Sequence, residues 1–251
     1  MAKAKEIVGL DCEASVGAGA VLVLRVRMEE VGQLRAAALD WSDMEGVHDM
    51  RVASRRLRSA LRDFMPYLRK TKLRRAQDYL KTVADALGTV RDHDVAIMAL
   101  EELVKEAPED VVAGVERLAA ERAAEREGER AALAKAISEG VIARAQGEFA
   151  YALEHAAKAT RGKRNAKRDQ EPETEPSFRQ AGRDIIAAGF DELQRLSTSL
   201  HQPHGEKRLH RMRIAAKRLR YAVELFAHCF GEPLVPFAEE IADMQGHLGE
   251  V

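Results

Sequence analysis

An eleven-residue pattern occurs twice in this chain of 251 residues. The first copy is His48-Asp49-Met50-Arg51-Val52-Ala53-Ser54-Arg55-Arg56-Leu57-Arg58, and the second is His210-Arg211-Met212-Arg213-Ile214-Ala215-Ala216-Lys217-Arg218-Leu219-Arg220. Seven of the eleven positions are identical, and Val/Ile and Arg/Lys exchanges add two conservative ones. At roughly 100° per helical residue, His48, Arg51, Arg55, Arg58 and Arg62 fall within a wedge of roughly 80°. Ala53, Leu57, Ala60, Leu61 and Phe64 point the other way. Each copy reads as a helix with one apolar side and one basic side headed by a histidine. Arg56 and Arg218 lie roughly 80° from the histidine on the wheel and rank second as ligands.

Like charges spaced i,i+4 cost a few tenths of a kcal/mol per pair. An anionic ligand is the natural reason to accept that cost. Neutralisation by glutamates of neighbouring helices in a structural network is the alternative, and the duplication favours the ligand. Catalysis finds little support. No Ser/His/Asp grouping, Gly-rich phosphate loop or pair of carboxylates on a common face is present. Metal binding is a rival drawn from His48, His210 and the Asp92-His93-Asp94 cluster, but the histidines sit among arginines that repel a cation. Arg91-Asp92 reads as a pair that orients an arginine, and Asp94 as a helix cap.

These residues need long helices to position them, and the composition supplies helix formers. Charged residues are 32% and aromatic ones 5%, a balance poor for sheets. Net charge is −1, yet His48 to Arg75 holds ten Lys/Arg against two acids. Cys12 and Cys229 form no CxxC pair and no disulfide framework, and suit a reducing cytoplasm. The longest apolar run, Val16 to Leu24, is too short to span a bilayer. A signal peptide is disfavoured by the acids between Lys5 and that run. The expected protein is soluble, with no membrane partner.

Periodicity and the seven prolines divide the chain into helices. Residues 1–13 lack periodicity and read as a flexible tail. Helices are expected from Ser15 to Leu39, Met44 to Met65, Lys72 to Leu87, Val90 to Glu106 and Glu109 to Lys158. The acid–base alternation from Glu121 to Arg130 reads as a solvated face, with Gly128 and Gly140 as bends. The charged stretch 159–177 reads as a disordered linker. Helices resume from Phe178 to Leu200, then through the second basic pattern to Phe230, and from Leu234 to Leu248. The histidines are 162 apart and the Leu87-Gly88 and Leu248-Gly249 pairs 161 apart. That offset indicates a tandem duplication packing as two related bundles, 14–158 and 178–251. The second copy is expected to lack its closing segment.

The two motifs, together with Leu87-Gly88-Thr89-Val90-Arg91-Asp92-His93-Asp94-Val95 and Lys217-Arg218-Leu219-Arg220-Tyr221, resemble the CHAD family of histidine-bearing α-helical domains. The resemblance covers about residues 15–251. It implies an all-α fold of two pseudo-symmetric antiparallel four-helix bundles with a basic groove or pore between them. It also implies binding of inorganic polyphosphate and residence on polyphosphate granules; with no catalytic grouping in the sequence, that binding is expected to be non-catalytic, with no cofactor, in the cytoplasm. On that reading the ligand meets His48, Arg51, Arg55, Arg56, Arg58, Arg62, His210, Arg213, Lys217, Arg218 and Arg220. Arginine's planar fork donates two hydrogen bonds to one phosphate, so it suits this task better than lysine. Phosphate contact would favour charged histidine, so binding would strengthen as pH falls. A nucleic-acid-binding helical module, a metal-binding one or a regulator of polyphosphate metabolism are the alternatives. The scarcity of aromatics disfavours single-strand stacking.

Overall fold

The structure, a computed structural model, describes residues 4–164, 175–201, 206–231 and 234–247. Its helices are α1 (Val16–Gln33), α2 (Arg35–Ala38), α3 (Met44–Phe64), α4 (Lys70–Glu106), α5 (Glu109–Ala136), α6 (Glu139–Arg164), α7 (Phe178–Leu196), α8 (Glu206–Phe230) and α9 (Leu234–His247). Short 3₁₀ turns follow α3 at Met65–Tyr67 and α7 at Ser197–His201. Among the described residues the extended backbone pairs only at one isolated bridge, Ser15 with Ser177. The all-α expectation holds.

The chain divides into two compact units. The first is built from Arg25–Arg58 and Thr71–Leu153 with the short N-terminal piece up to Glu6, and the second from Ile7–Leu24, Ser59–Lys70 and Glu154 onward. The division falls within α1, α3 and α6.

Within the first unit, α4 runs unbroken through Gly88, where two helices had been expected. Buried Leu73, Leu80, Val83, Leu87, Val90 and Ile97 keep helical spacing across it. One glycine costs about 1 kcal/mol in a helix, less than the burial of even one of those side chains contributes. Conversely, the helix expected from Glu109 to Lys158 stops at Ala136 and restarts at Glu139. The break falls at neither glycine. It is fixed by side chains from elsewhere: Arg35 Nε donates to the Ile137 carbonyl at 2.7 Å, and the Tyr79 hydroxyl to the Ala136 carbonyl at 3.5 Å. Carbonyls at a helix end need such partners.

The second unit holds residues 7–13 of the N-terminal stretch that had been expected to fray. Val16 N–H donates to the Pro176 carbonyl at 3.0 Å, Phe178 N–H to Ala14 at 2.8 Å and Arg179 N–H to Cys12 at 2.8 Å. Cys12 and Cys229 are joined in a disulfide. This overturns the reading of two separate reduced thiols. The cysteines are 217 residues apart, so no local spacing could reveal the pair. Arg179 adds to the clasp by donating to the Cys229 carbonyl and pairing with Glu13 at 2.6 Å.

Beneath that clasp, Phe64, Phe178 and Phe226 pack as a fully buried cluster with ring centroids 4.8 to 5.9 Å apart. Phe64 and Phe226 are the same position of the two repeats, 162 apart. Glycine makes the close approach possible. A Cβ at Gly182 would lie 2.5 Å from the Phe226 ring, and one at Gly19 would lie 2.2 Å from that of Phe178. Gly182→Ala is expected to cost about 1–3 kcal/mol, since a ring locked between two others cannot swing aside. Urea unfolding followed by helical circular dichroism measures it, and a loss below about 0.5 kcal/mol would show that the cluster yields. Residues 165–174, within the expected linker, lie outside the described residues, although α6 continues to Arg164 and Ser177 caps α7 by accepting from Gln180 N–H at 3.1 Å.

Candidate functional site

Both repeated patterns are helical throughout, the first on α3 and the second on α8. Asp43 starts α3 by accepting a hydrogen bond from Glu45 N–H at 2.8 Å, and Pro66 lies in the 3₁₀ turn that follows its end. Val47, Met50, Ala53, Leu57, Ala60, Leu61 and Phe64 are buried. The open arc left to α3 is the basic stripe. His48, Arg51 and Arg55 are half-buried on it, and Arg58 and Arg62 are exposed. Arg55 and Arg58 make no ion pair among the described residues. Arg62 is engaged by its own neighbour, donating to Asp63 from Nε at 2.9 Å and Nη2 at 2.6 Å. Burial pushes the Asp63 carboxyl above its ordinary range, against the pull of Arg62 and Arg218.

On α8, His210 is exposed and Arg213 and Lys217 are half-buried. The Nε of Arg213 is buried without a hydrogen-bond partner among the described residues, while Arg213 as a whole makes no ion pair there. Arg218 is exposed and lies 3.7 Å from Glu192. Arg220 is buried, 3.5 Å from Glu224 and with its guanidinium over the Tyr221 ring.

Positions that the two copies share in sequence are thus unequal in surroundings. Arg56 is 8% exposed whereas its counterpart Arg218 is open. Arg58 is open whereas its counterpart Arg220 is 7% exposed. Packing partners, not the motif, decide which cation of each copy stays accessible.

The Asp92-His93-Asp94 cluster does not join the motif histidines in a metal group. It lies in the middle of α4, and Asp94 caps nothing. Its carboxylate is buried and accepts from Arg126 Nη1 of α5 at 3.1 Å. His93 lies 4.0 Å from Glu125. Arg126 and Arg130 therefore turn inward from the stretch read as a solvated face, and the Arg130 guanidinium lies over the Trp41 ring, 4.9 Å from its centroid. The pairs Arg117–Glu121 at 3.2 Å and Arg122–Glu125 at 2.9 Å do lie on the solvated side. The metal-like group that the described residues hold is a different one, Glu45, His48 and Asp49, whose donor atoms lie within 4.8 Å of one another. Sequence reasoning missed the two carboxylates, although their placing three before and one after the histidine was visible.

The sequence profile of the CHAD domain matches residues 25–251. The chain belongs to the CHAD family. Among solved structures, the CHAD domain from the plant Ricinus communis superposes with a TM-score of 0.77 at 23% identity, covering 98% of this chain and 77% of that one. PptA from Streptomyces chartreusis gives a TM-score of 0.59 at 16% identity, covering 84% of this chain and 75% of that one. At these identities the likeness is one of fold. No match was found among curated proteins. Among the described residues of this CHAD chain, no helix is long and apolar enough to cross a membrane.

Proposed function

We propose that this CHAD chain binds inorganic polyphosphate, without turning it over, through the basic stripes of α3 and α8, and that binding attaches it to polyphosphate granules. Polyphosphate offers a dense row of charge and no bases to read. Its binder needs cations and donors along a line, and the contacts are of the kind that proteins make to nucleic-acid phosphates. The support is the pair of cationic stripes on which Arg55, Arg58 and Arg213 remain exposed or half-buried with no ion pair among the described residues. Their guanidinium groups are held by helices but keep charge to give.

Binding of labelled polyphosphate, followed by anisotropy over a series of salt concentrations, tests the reading. The logarithm of the association constant should fall linearly with the logarithm of salt. Arg213→Ala should flatten the slope by about one unit. Binding that ignores both salt and this substitution would sink the proposal. Duplex DNA added at equal phosphate concentration should compete poorly; equal competition would favour a general polyanion binder instead.

A further inference from the structure

The two motif copies differ in the charges that flank their histidines. Glu45 and Asp49 stand three residues before and one after His48, and the same places around His210 hold Lys207 and Arg211. On a helix these positions lie roughly 60° and 100° from the histidine, on the side away from Arg51 or Arg213. They make a second row beside the stripe, completed by Arg56 in one copy and Arg218 in the other.

In α3 this second row opposes an anion. The carboxylates of Glu45 and Asp49 come within 4.8 Å of the His48 imidazole, and Arg56 is buried. In α8 the second row extends the stripe. Lys207, His210, Arg211 and Arg218 are all exposed, and Lys207 and Arg211 make no ion pair among the described residues. From Lys207 to Val223 the chain has seven Lys/Arg and no acid, while the matching stretch from Glu45 to Leu61 has four arginines and two acids. The difference is concentrated in the first three turns, because further along α8 Arg218 lies 3.7 Å from Glu192 and Arg220 lies 3.5 Å from Glu224.

We infer that α8 is the principal polyanion-binding helix, with Lys207 and Arg211 as two further contacts, and that Glu45 and Asp49 restrict α3 to a minor share. This rests on the polyphosphate reading above and assigns its affinity unequally. Each cation that meets a phosphate releases about one counterion, so its removal lowers the salt slope by about one and affinity by roughly tenfold at about 0.1 M salt. Removing a nearby carboxylate acts in the opposite sense.

The test is the same anisotropy titration on the full chain and two double variants, with helical circular dichroism confirming that each is folded. Lys207→Ala/Arg211→Ala is expected to lower the slope by about two, since both side chains are exposed and alanine keeps the helix. Glu45→Gln/Asp49→Asn is expected to tighten binding several-fold and leave a steep slope. If Arg213→Ala weakens binding while Lys207→Ala/Arg211→Ala keeps the wild-type slope, the inference fails and the polyphosphate reading stands. Unchanged affinity in Glu45→Gln/Asp49→Asn also overturns it. If the unaltered chain binds no polyphosphate, it is the underlying reading that fails.

Discussion

Reducing the Cys12–Cys229 disulfide is expected to lower the thermal midpoint of the second unit by about 10 °C. The bond joins residues separated by 217 positions. In the chain-entropy account, removing a link across so long a loop returns about 5 kcal/mol of freedom to the unfolded chain, and measured values more often reach about 2–4 kcal/mol. The hydrogen bonds that accompany it, such as Arg179 N–H to the Cys12 carbonyl at 2.8 Å, are worth about 1 kcal/mol each and do not replace it. Calorimetry with and without a phosphine reductant measures the shift. Cys12→Ser/Cys229→Ser should melt with the reduced protein and ignore the reductant. Two alkylatable thiols in protein prepared without reductant would show that the bond does not form.

Asp94→Ala should destabilise the first unit by about 3 kcal/mol. The Asp94 side chain is 1% exposed and that of its partner Arg126 is 16% exposed. Deleting the carboxylate strands a guanidinium whose Nε already has no hydrogen-bond partner among the described residues. Among the described residues, the remaining acid within ion-pair reach is Glu127, at 3.9 Å. Desolvating an uncompensated charge costs more than the pair itself contributes, while the partial exposure of Arg126 keeps the figure below the upper end of that range. Arg126→Met in the same chain should recover much of the loss, because it removes the stranded charge and keeps the apolar stem. Urea unfolding of the two single variants and the double one closes the cycle. If Asp94→Ala costs under about 1 kcal/mol, the pair is not what holds α4 to α5 there.

Those two sites show where sequence reading stops. The Arg126–Asp94 pair spans 32 positions, and the acid–base alternation around Arg126 looks the same whether its cations face water or the interior. The break after Ala136 was equally hidden, since Arg35 and Tyr79, which take up the carbonyls there, lie far back in the chain. Gly88 misled in the opposite direction. Its local helix-weakening effect was visible, but the burial that outweighs it was not.

The basic helices were legible because helical periodicity is short-range: a 3.6-residue repeat places His48, Arg51 and Arg55 on one side with no knowledge of the rest of the fold. The duplication, the all-α class, both basic stripes and the family signature followed from such local order. The tertiary structure decided what each stripe can use. It buried Arg56 and left its counterpart Arg218 open, opened Arg58 and buried its counterpart Arg220, and joined the two cysteines. Accessibility and pairing depend on which distant segments pack against a helix, and the arginines that the two motifs share carry no record of their neighbours.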